Sequence, residues 1–188
     1  MDNLNAVIVG VGGQGTLLAS RVLGRVALNL KKDVKVSEVH GMSQRGGSVT
    51  TYVRIGEKVY SPVVEQRSAD YILAFEELEA LRAAPYLKEN GEIIVNTQKI
   101  APLSVTTGAQ EYPKTLETLK ENADVTAIDA LTLARQAGNE RAVNTVLLGA
   151  FAKKLEIDED IWREAIRECV PEKYLKANEK AFDLGYAS

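Results

Sequence analysis

The sequence of 188 residues has one cysteine, Cys169, and one histidine, His40. One thiol cannot close an internal disulfide, complete a four-cysteine zinc site or ligate an iron–sulfur cluster. A single Cys and a single His, far apart in the chain, also give little basis for a nucleophile–base pair. Any redox metal chemistry therefore has to belong to another chain. Basic charge is not in excess either: 23 Lys and Arg stand against 26 Asp and Glu, for a net charge of −3. Such a balance builds no positive field for a nucleic acid. No apolar run approaches the roughly 20 residues of a membrane span, and the N-terminus lacks a charged-then-apolar signal segment, so a cytoplasmic location is expected. Repeats, low-complexity tracts and linker-like stretches are missing too.

What is present is ordinary globular composition, 45% hydrophobic and 26% charged,. The length suits one domain over residues 1–188, large enough to bury roughly 70% of its unfolded surface. Leu4 to Val9 reads as a buried strand,. After the glycine-rich segment Gly10 to Gly15, Leu18, Val22 and Val26 recur at helical spacing, and Lys31 and Lys32 are expected to close that helix,. A second strand is expected from Asp33 to Val39, beside the first. Alternation at Val49, Thr51, Val53 and Ile55 predicts a further strand that turns at Gly56-Glu57 into a hairpin partner, Lys58 to Tyr60,. Strands at Asp70–Phe75, Glu92–Asn96 and Val125–Ile128 follow, with a short helix from Glu76 to Ala84. Asp129 should cap a helix that Gly138 ends, Asp158 should cap another, and Pro171 opens a last one through Lys180,. The fold class expected is α/β: a Rossmann-like, mostly parallel sheet with helices on both faces, a β-hairpin insertion and a helical C-terminal third.

Two segments stand out as candidate sites. Gly10, Gly12 and Gly15 fit G-x-G-x-x-G between a strand and a helix,. In that reading Gly10 allows the tight turn, Gly12 lets backbone approach a phosphate and Gly15 allows close helix packing. Asp33 and Glu38 are the candidates for a ribose-binding acid. The same glycines also suit a plain βα turn or a partner's loop. The second segment, His40 to Gly47, follows neither period. Its Arg45 can fork onto phosphate or carboxylate, and Gly46 and Gly47 let N–H groups converge. His40 alone reads as a packed histidine, Cys169 as a small buried hydrophobe, and Glu76, Glu77 and Glu79 as acids suited to a helix start.

With these residues in hand, the chain resembles the gamma-type subunits of 2-oxoacid:ferredoxin oxidoreductases, especially the indolepyruvate branch. The segments that carry the likeness are GVGGQG (10–15), SEVHGMSQRGGSV (37–49), ADYILAFEELEALR (69–82) and GNERAVNTVLLGA (138–150). The resemblance implies an accessory subunit of a complex that oxidatively decarboxylates a 2-oxoacid with coenzyme A and reduces ferredoxin. Thiamine diphosphate and iron–sulfur clusters would lie on a larger partner subunit, and this chain has neither the cysteines nor a thiamine signature. It would contribute no catalytic residue and no metal ligand. Its binding candidates are Gly10, Gly12, Gly13, Gln14, Gly15, Ser43, Gln44, Arg45, Gly46 and Gly47, facing coenzyme A or the partner. An obligate interface on the order of 2,000 Å² is expected, and a homodimer of the isolated chain is one way to cover part of it. A pyruvate or 2-oxoglutarate gamma subunit, a stand-alone NAD(P)-binding protein and a scaffold that binds no small molecule remain alternatives.

Overall fold

A computed structural model describes residues 3–41 and 46–188. Strands β1 (Leu4–Val11), β2 (Asp33–His40), β3 (Ser48–Gly56), β4 (Ala69–Ala74), β5 (Leu87–Asn96) and β6 (Asp124–Ile128) form one sheet in the order β2-β3-β1-β4-β5-β6. From β1 through β4 and β5 to β6 all pairings are parallel. β3 runs antiparallel to both of its neighbours, β1 and β2.

The apolar runs of β1, β4 and β5 follow from cover on both faces. Alternate side chains divide between two cores. Ala6, Ile8, Leu73 and Ile94 point to one face, while Val7, Val9, Ile72, Ala74, Ile93 and Val95 point to the other. The first face is covered by α1 (Thr16–Asn29), α5 (Ala130–Ala137), α6 (Val143–Leu155), α7 (Glu159–Cys169) and α8 (Glu172–Ala187). The second is covered more thinly, by α2 (Glu77–Ala83) and α4 (Thr115–Asn122). A single-turn helix, α3 (Leu103–Thr106), lies in the connection after β5.

Three expectations need correction. The hairpin is made by β2 and β3, joined through residues 41–47, and residues 58–60 form no strand. β2 is therefore not beside β1. The alternating face of β3 (Val49, Thr51, Val53, Ile55) is buried, so β3 takes the interior place. β2, with Asp33, Lys35, Ser37 and Glu38, is left at the edge. Lys31 and Lys32 close α1 as expected, from just past its last residue Asn29: Lys31, at positive φ, donates its N–H to the Leu28 carbonyl and Lys32 to that of Ala27, both at 2.9 Å,. The last helix continues past Lys180 to Ala187, because Ala181, Phe182 and Gly185 are buried.

The expected caps are found. The Asp129 carboxylate accepts from the Thr132 N–H at 3.1 Å, and Gly138 ends α5 in the left-handed region. Asp158 accepts from the Asp160 N–H at 2.9 Å. α6 is buried from Val143 through Ala152 and meets α8 backbone to backbone. A methyl on Gly149 would come within 2.2 Å of the Phe182 carbonyl oxygen, and one on Gly185 within 1.9 Å of that of Val146.

Candidate functional site

The carboxyl ends of β1, β4, β5 and β6 all open on one edge of the sheet. At that edge α1, after β1, departs to one face, while α2, after the adjacent β4, departs to the other. The crevice between two such strands is where open α/β sheets receive ligands.

The glycine turn lies there, but its residues act differently from the dinucleotide pattern. Gly10 is still within β1, paired with Val49. A Cβ on it would sit 2.9 Å from the Gln14 Oε1 and 3.0 Å from the Phe75 Cβ. Glycine is needed because Gln14 folds back over the strand. The Gln14 Oε1 accepts from the Val11 N–H at 2.7 Å, and its Nε2 donates to the Phe75 carbonyl and the Gln98 Oε1, both at 3.1 Å. Gln14 thus ties the ends of β1, β4 and β5 together and spends both ends of its amide inside the protein.

Gly12 is equally engaged. Its N–H donates to the Gly47 carbonyl at 2.8 Å, and its carbonyl accepts from the Gly46 N–H at 3.4 Å. The two candidate segments are therefore joined backbone to backbone. Gly13 and Gly15 carry positive φ, 105° and 89°. Around the Cβ position of Gly13 there is open space, whereas that of Gly15 lies 2.6 Å from the Asn144 Nδ2. Among the described residues, the Gly13 and Gly15 N–H groups have no acceptor. Ser43, Gln44 and Arg45 lie outside the described residues.

Three buried carboxylates brace the edge from behind. Glu76, just after β4, caps α2 by accepting from the Glu79 N–H at 2.9 Å. It also accepts from the Ile100 N–H at 2.9 Å and the Tyr112 hydroxyl at 2.6 Å. Burial, and then that carboxylate, hold the Tyr112 hydroxyl well above the ordinary phenol range. Glu77 accepts from the Thr115 hydroxyl, and Glu79 from the Ser48 hydroxyl at 2.5 Å and from Arg82 at 2.6 Å. These acids do more than suit a helix dipole. They fix the segment after β5 and the start of β3, where the 41–47 connection re-enters the sheet.

Gly13 and Gly15 form a ridge between two clefts. One, of about 380 Å³, is lined by Gly12, Thr16, Leu17, Glu38, His40 and Val49. The other, of about 660 Å³, is bounded by Gln14, Leu18, Gln98, Leu131, Arg141 and Asn144. In the second cleft Glu140 is paired with Arg135 at 3.0 Å, which leaves the exposed Arg141 as the charge of that lining with no ion-pair partner among the described residues. An anion is favoured there over the first cleft, which carries Glu38. A larger hollow of about 710 Å³, lined by Leu81, Leu87 and Leu119, holds none of these candidates.

Arg141 and Asn144 were missed as site residues. Their signal lay in the segment Gly138 to Ala150, where polar side chains immediately precede or open a helix that is otherwise apolar. His40 is exposed, its Nδ1 3.0 Å from the Gly41 carbonyl oxygen, so it is not the packed histidine expected. Cys169 is half-buried, and burial pushes its thiol up, away from reactivity,. No group of three or more metal-ligating side chains occurs among the described residues. No helix there is long and apolar enough to cross a membrane. In a dinucleotide site the ribose-binding acid ends the parallel strand beside β1. Here antiparallel β3 occupies that place, and Glu38 lies one strand farther out.

Residues 5–188 match the family model described as pyruvate ferredoxin/flavodoxin oxidoreductase. The chain belongs to that family. An indolepyruvate oxidoreductase subunit IorB from Thermococcus kodakarensis is 45% identical, the match covering 98% of this chain and 95% of that one. A common gamma subunit of pyruvate/ketoisovalerate oxidoreductases from Pyrococcus abyssi is 31% identical over 93% and 92% of the two chains. The fold is shared with a solved 2-oxoglutarate:ferredoxin oxidoreductase from Magnetococcus marinus, with a TM-score of 0.76 at 20% identity; the likeness covers all of this chain and 31% of that one. The family assignment agrees with the resemblance read from the four sequence segments.

Proposed function

We propose that this chain is the accessory subunit of a complex that oxidatively decarboxylates indolepyruvate or a related aryl pyruvate. In that reaction the 2-oxoacid and coenzyme A give acyl-CoA and CO2, and two electrons pass to ferredoxin. The observation that carries the reading is the end-to-end match to the Thermococcus kodakarensis indolepyruvate subunit. Thiamine diphosphate and iron–sulfur clusters belong to a larger partner, since one cysteine does not suit a cluster,. The choice of 2-oxoacid also belongs to that partner: the Pyrococcus abyssi relative is named as common to oxidoreductases for two different substrates. The complex works in the cytoplasm, and the chain is a single domain.

Coenzyme A is the ligand that the sheet edge suits. The Magnetococcus marinus enzyme was solved with coenzyme A and succinyl-CoA bound. In this chain the Gly13 and Gly15 N–H groups, without an acceptor among the described residues, and the Arg141 guanidinium offer donors to a phosphate. Ser43, Gln44 and Arg45, with Gly46 and Gly47, remain binding candidates by their chemistry: the Arg45 guanidinium suits a phosphate of coenzyme A or a carboxylate of the partner.

Co-expression with the cluster-bearing subunit tests this. The purified complex should reduce ferredoxin with indolepyruvate and coenzyme A, whereas the isolated chain should be colourless and inactive. Turnover by the isolated chain, or native pull-downs that recover only the 20.5 kDa protein, would overturn the reading.

A further inference from the structure

Just beyond the end of β5, three side-chain amides meet in a network whose polarity the backbone fixes. The Val11 N–H donates to the Gln14 Oε1 at 2.7 Å, so the other end of that amide is its donor nitrogen,. Likewise the Ala130 N–H donates to the Asn96 Oδ1 at 3.1 Å, which makes the Asn96 Nδ2 a donor. Both nitrogens donate to the Phe75 carbonyl at 3.1 Å. Both also reach one atom of Gln98, Gln14 from 3.1 Å and Asn96 from 3.4 Å. A third donor cannot face these two. The Gln98 amide is therefore oriented with Oε1 inward, which turns its Nε2 away from the network.

That nitrogen has no acceptor among the described residues. It is not walled in either: the buried side-chain polar atoms without a partner there belong to Asn29 and Trp162. Gln98 is half-buried and lines the cleft of about 660 Å³ that holds Arg141. The main chain on either side keeps it in place. The Thr97 N–H donates to the Ile128 carbonyl at 2.9 Å, and the Gln98 carbonyl accepts from the Glu77 N–H at 3.1 Å. Pinned at its backbone and at its oxygen, the side chain presents its NH2 group in a set direction.

The rest of that lining does not compete for the donor. Its carboxylate, Glu140, is engaged by Arg135 at 3.0 Å. An ionised phosphate oxygen only accepts, so it matches a wall that only donates. Leu18, Leu131 and Val143 give the uncharged part of such a ligand an apolar surface.

We propose that Gln98 is a specificity-determining residue of this cleft, donating from Nε2 to a phosphate oxygen of coenzyme A. The proposal rests on the coenzyme A reading and adds to it a neutral donor whose direction the fold sets. A coenzyme A molecule carries such oxygens on its pyrophosphate and on its ribose 3′-phosphate.

Titration calorimetry of the complex reconstituted with the larger subunit tests the assignment, with coenzyme A and then dephospho-coenzyme A as the probe. Gln98→Glu keeps oxygen acceptors for Gln14 and Asn96, but it has no N–H to give and brings a negative charge to the cleft. It should raise the Kd for coenzyme A at least about tenfold, with an unchanged circular dichroism spectrum. Gln98→Lys gives up the inward acceptor and retains a donor, so Kd should stay at or below the wild-type value even though urea stability falls. That variant decides alone if the glutamate variant does not fold. A rise in Kd for both probes places the donor on the pyrophosphate; a rise for coenzyme A alone places it on the 3′-phosphate. An unchanged Kd in Gln98→Glu, or an equal rise in Gln98→Lys, overturns the proposal and leaves Gln98 a brace between strand ends. Arg141→Ala separates the two possible failures. If it raises Kd and Gln98→Glu does not, the cleft binds coenzyme A without Gln98. If neither does, coenzyme A is not the ligand of this cleft, and the proposal falls with that reading.

Discussion

The backbone of Gly12 is hydrogen-bonded in both directions to Gly46 and Gly47, its N–H reaching the Gly47 carbonyl at 2.8 Å. The first βα turn and Gly46-Gly47 are therefore joined, and among the described residues the Gly13 and Gly15 N–H groups are without an acceptor. Gly13→Ala adds strain from positive φ but meets open space, for a cost of order 1–3 kcal/mol. Gly15→Ala adds the same strain and drives a methyl against the buried Asn144, so it should be the less stable of the two. Urea denaturation midpoints decide; equal midpoints would mean that α6 yields at Asn144.

Arg141→Ala should raise KM for coenzyme A in the reconstituted complex while leaving kcat nearly unchanged. A hydrogen bond to a charged group contributes about 1.5–3 kcal/mol, about ten- to a hundredfold in KM. An unchanged KM would remove Arg141 from the site. Arg45→Ala should weaken coenzyme A use or subunit assembly by a similar factor; if it alters neither, that segment is mere surface.

Glu76→Ala strands three donors at once, the Glu79 and Ile100 N–H groups and the Tyr112 hydroxyl. Each unsatisfied buried group costs about 1–3 kcal/mol, so a loss of at least about 3 kcal/mol is expected in chemical denaturation. Glu76→Gln keeps one acceptor oxygen and should lose less.

Asp129 and Tyr52 each make stability depend on pH. Asp129 is held below the ordinary carboxylate range, first by the Thr132 hydroxyl and then by its N–H. Its contribution is therefore present above about pH 4 and lost as pH falls through the lowered value. Asp129→Ala should cost about 1 kcal/mol near neutrality and almost nothing in strong acid. The Tyr52 hydroxyl is pushed up to about 12, by burial first and then by its hydrogen bond to Tyr86. Below about pH 10 that site is silent; between about 10 and about 12 the unfolded chain releases the proton first, and stability falls. Denaturation midpoints followed from pH 8 to 11 should decline less steeply in Tyr52→Phe.

Local chemistry was readable from the sequence, and neighbour relations were not. Asp129, Gly138 and Asp158 act through atoms two or three residues away, so their roles follow from type and position. The period of two at Val49 to Ile55 announces a strand with one buried face but does not say what pairs with it. The pairing of β3 with β2 on one side and β1 on the other is therefore not legible in that period. Helix α4 went unseen because among its eight residues it buries only Thr115 and Leu119. The glycines of the first turn were recognised, yet two of their reasons lie elsewhere in the chain: Gly10 yields to Gln14 and Phe75, and Gly15 to Asn144, more than a hundred residues away. Likewise, Glu76 becomes a three-way acceptor only once Ile100 and Tyr112 have been brought to it.

The glycine contacts between α6 and α8 have a consequence for the cleft. With backbone touching backbone at Gly149 and Gly185, the two helices have no side-chain cushion over which to slide. At the other end of α6 the Thr145 hydroxyl donates to the Asn178 Oδ1 of α8 at 2.6 Å, one residue from the Asn144 that walls the glycine turn. The cleft wall is therefore clamped at two points to the last helix of the chain, and it inherits its position from residues remote from any ligand. Clipping or fraying the C-terminal end of α8 would loosen the binding edge without touching a single residue that lines it.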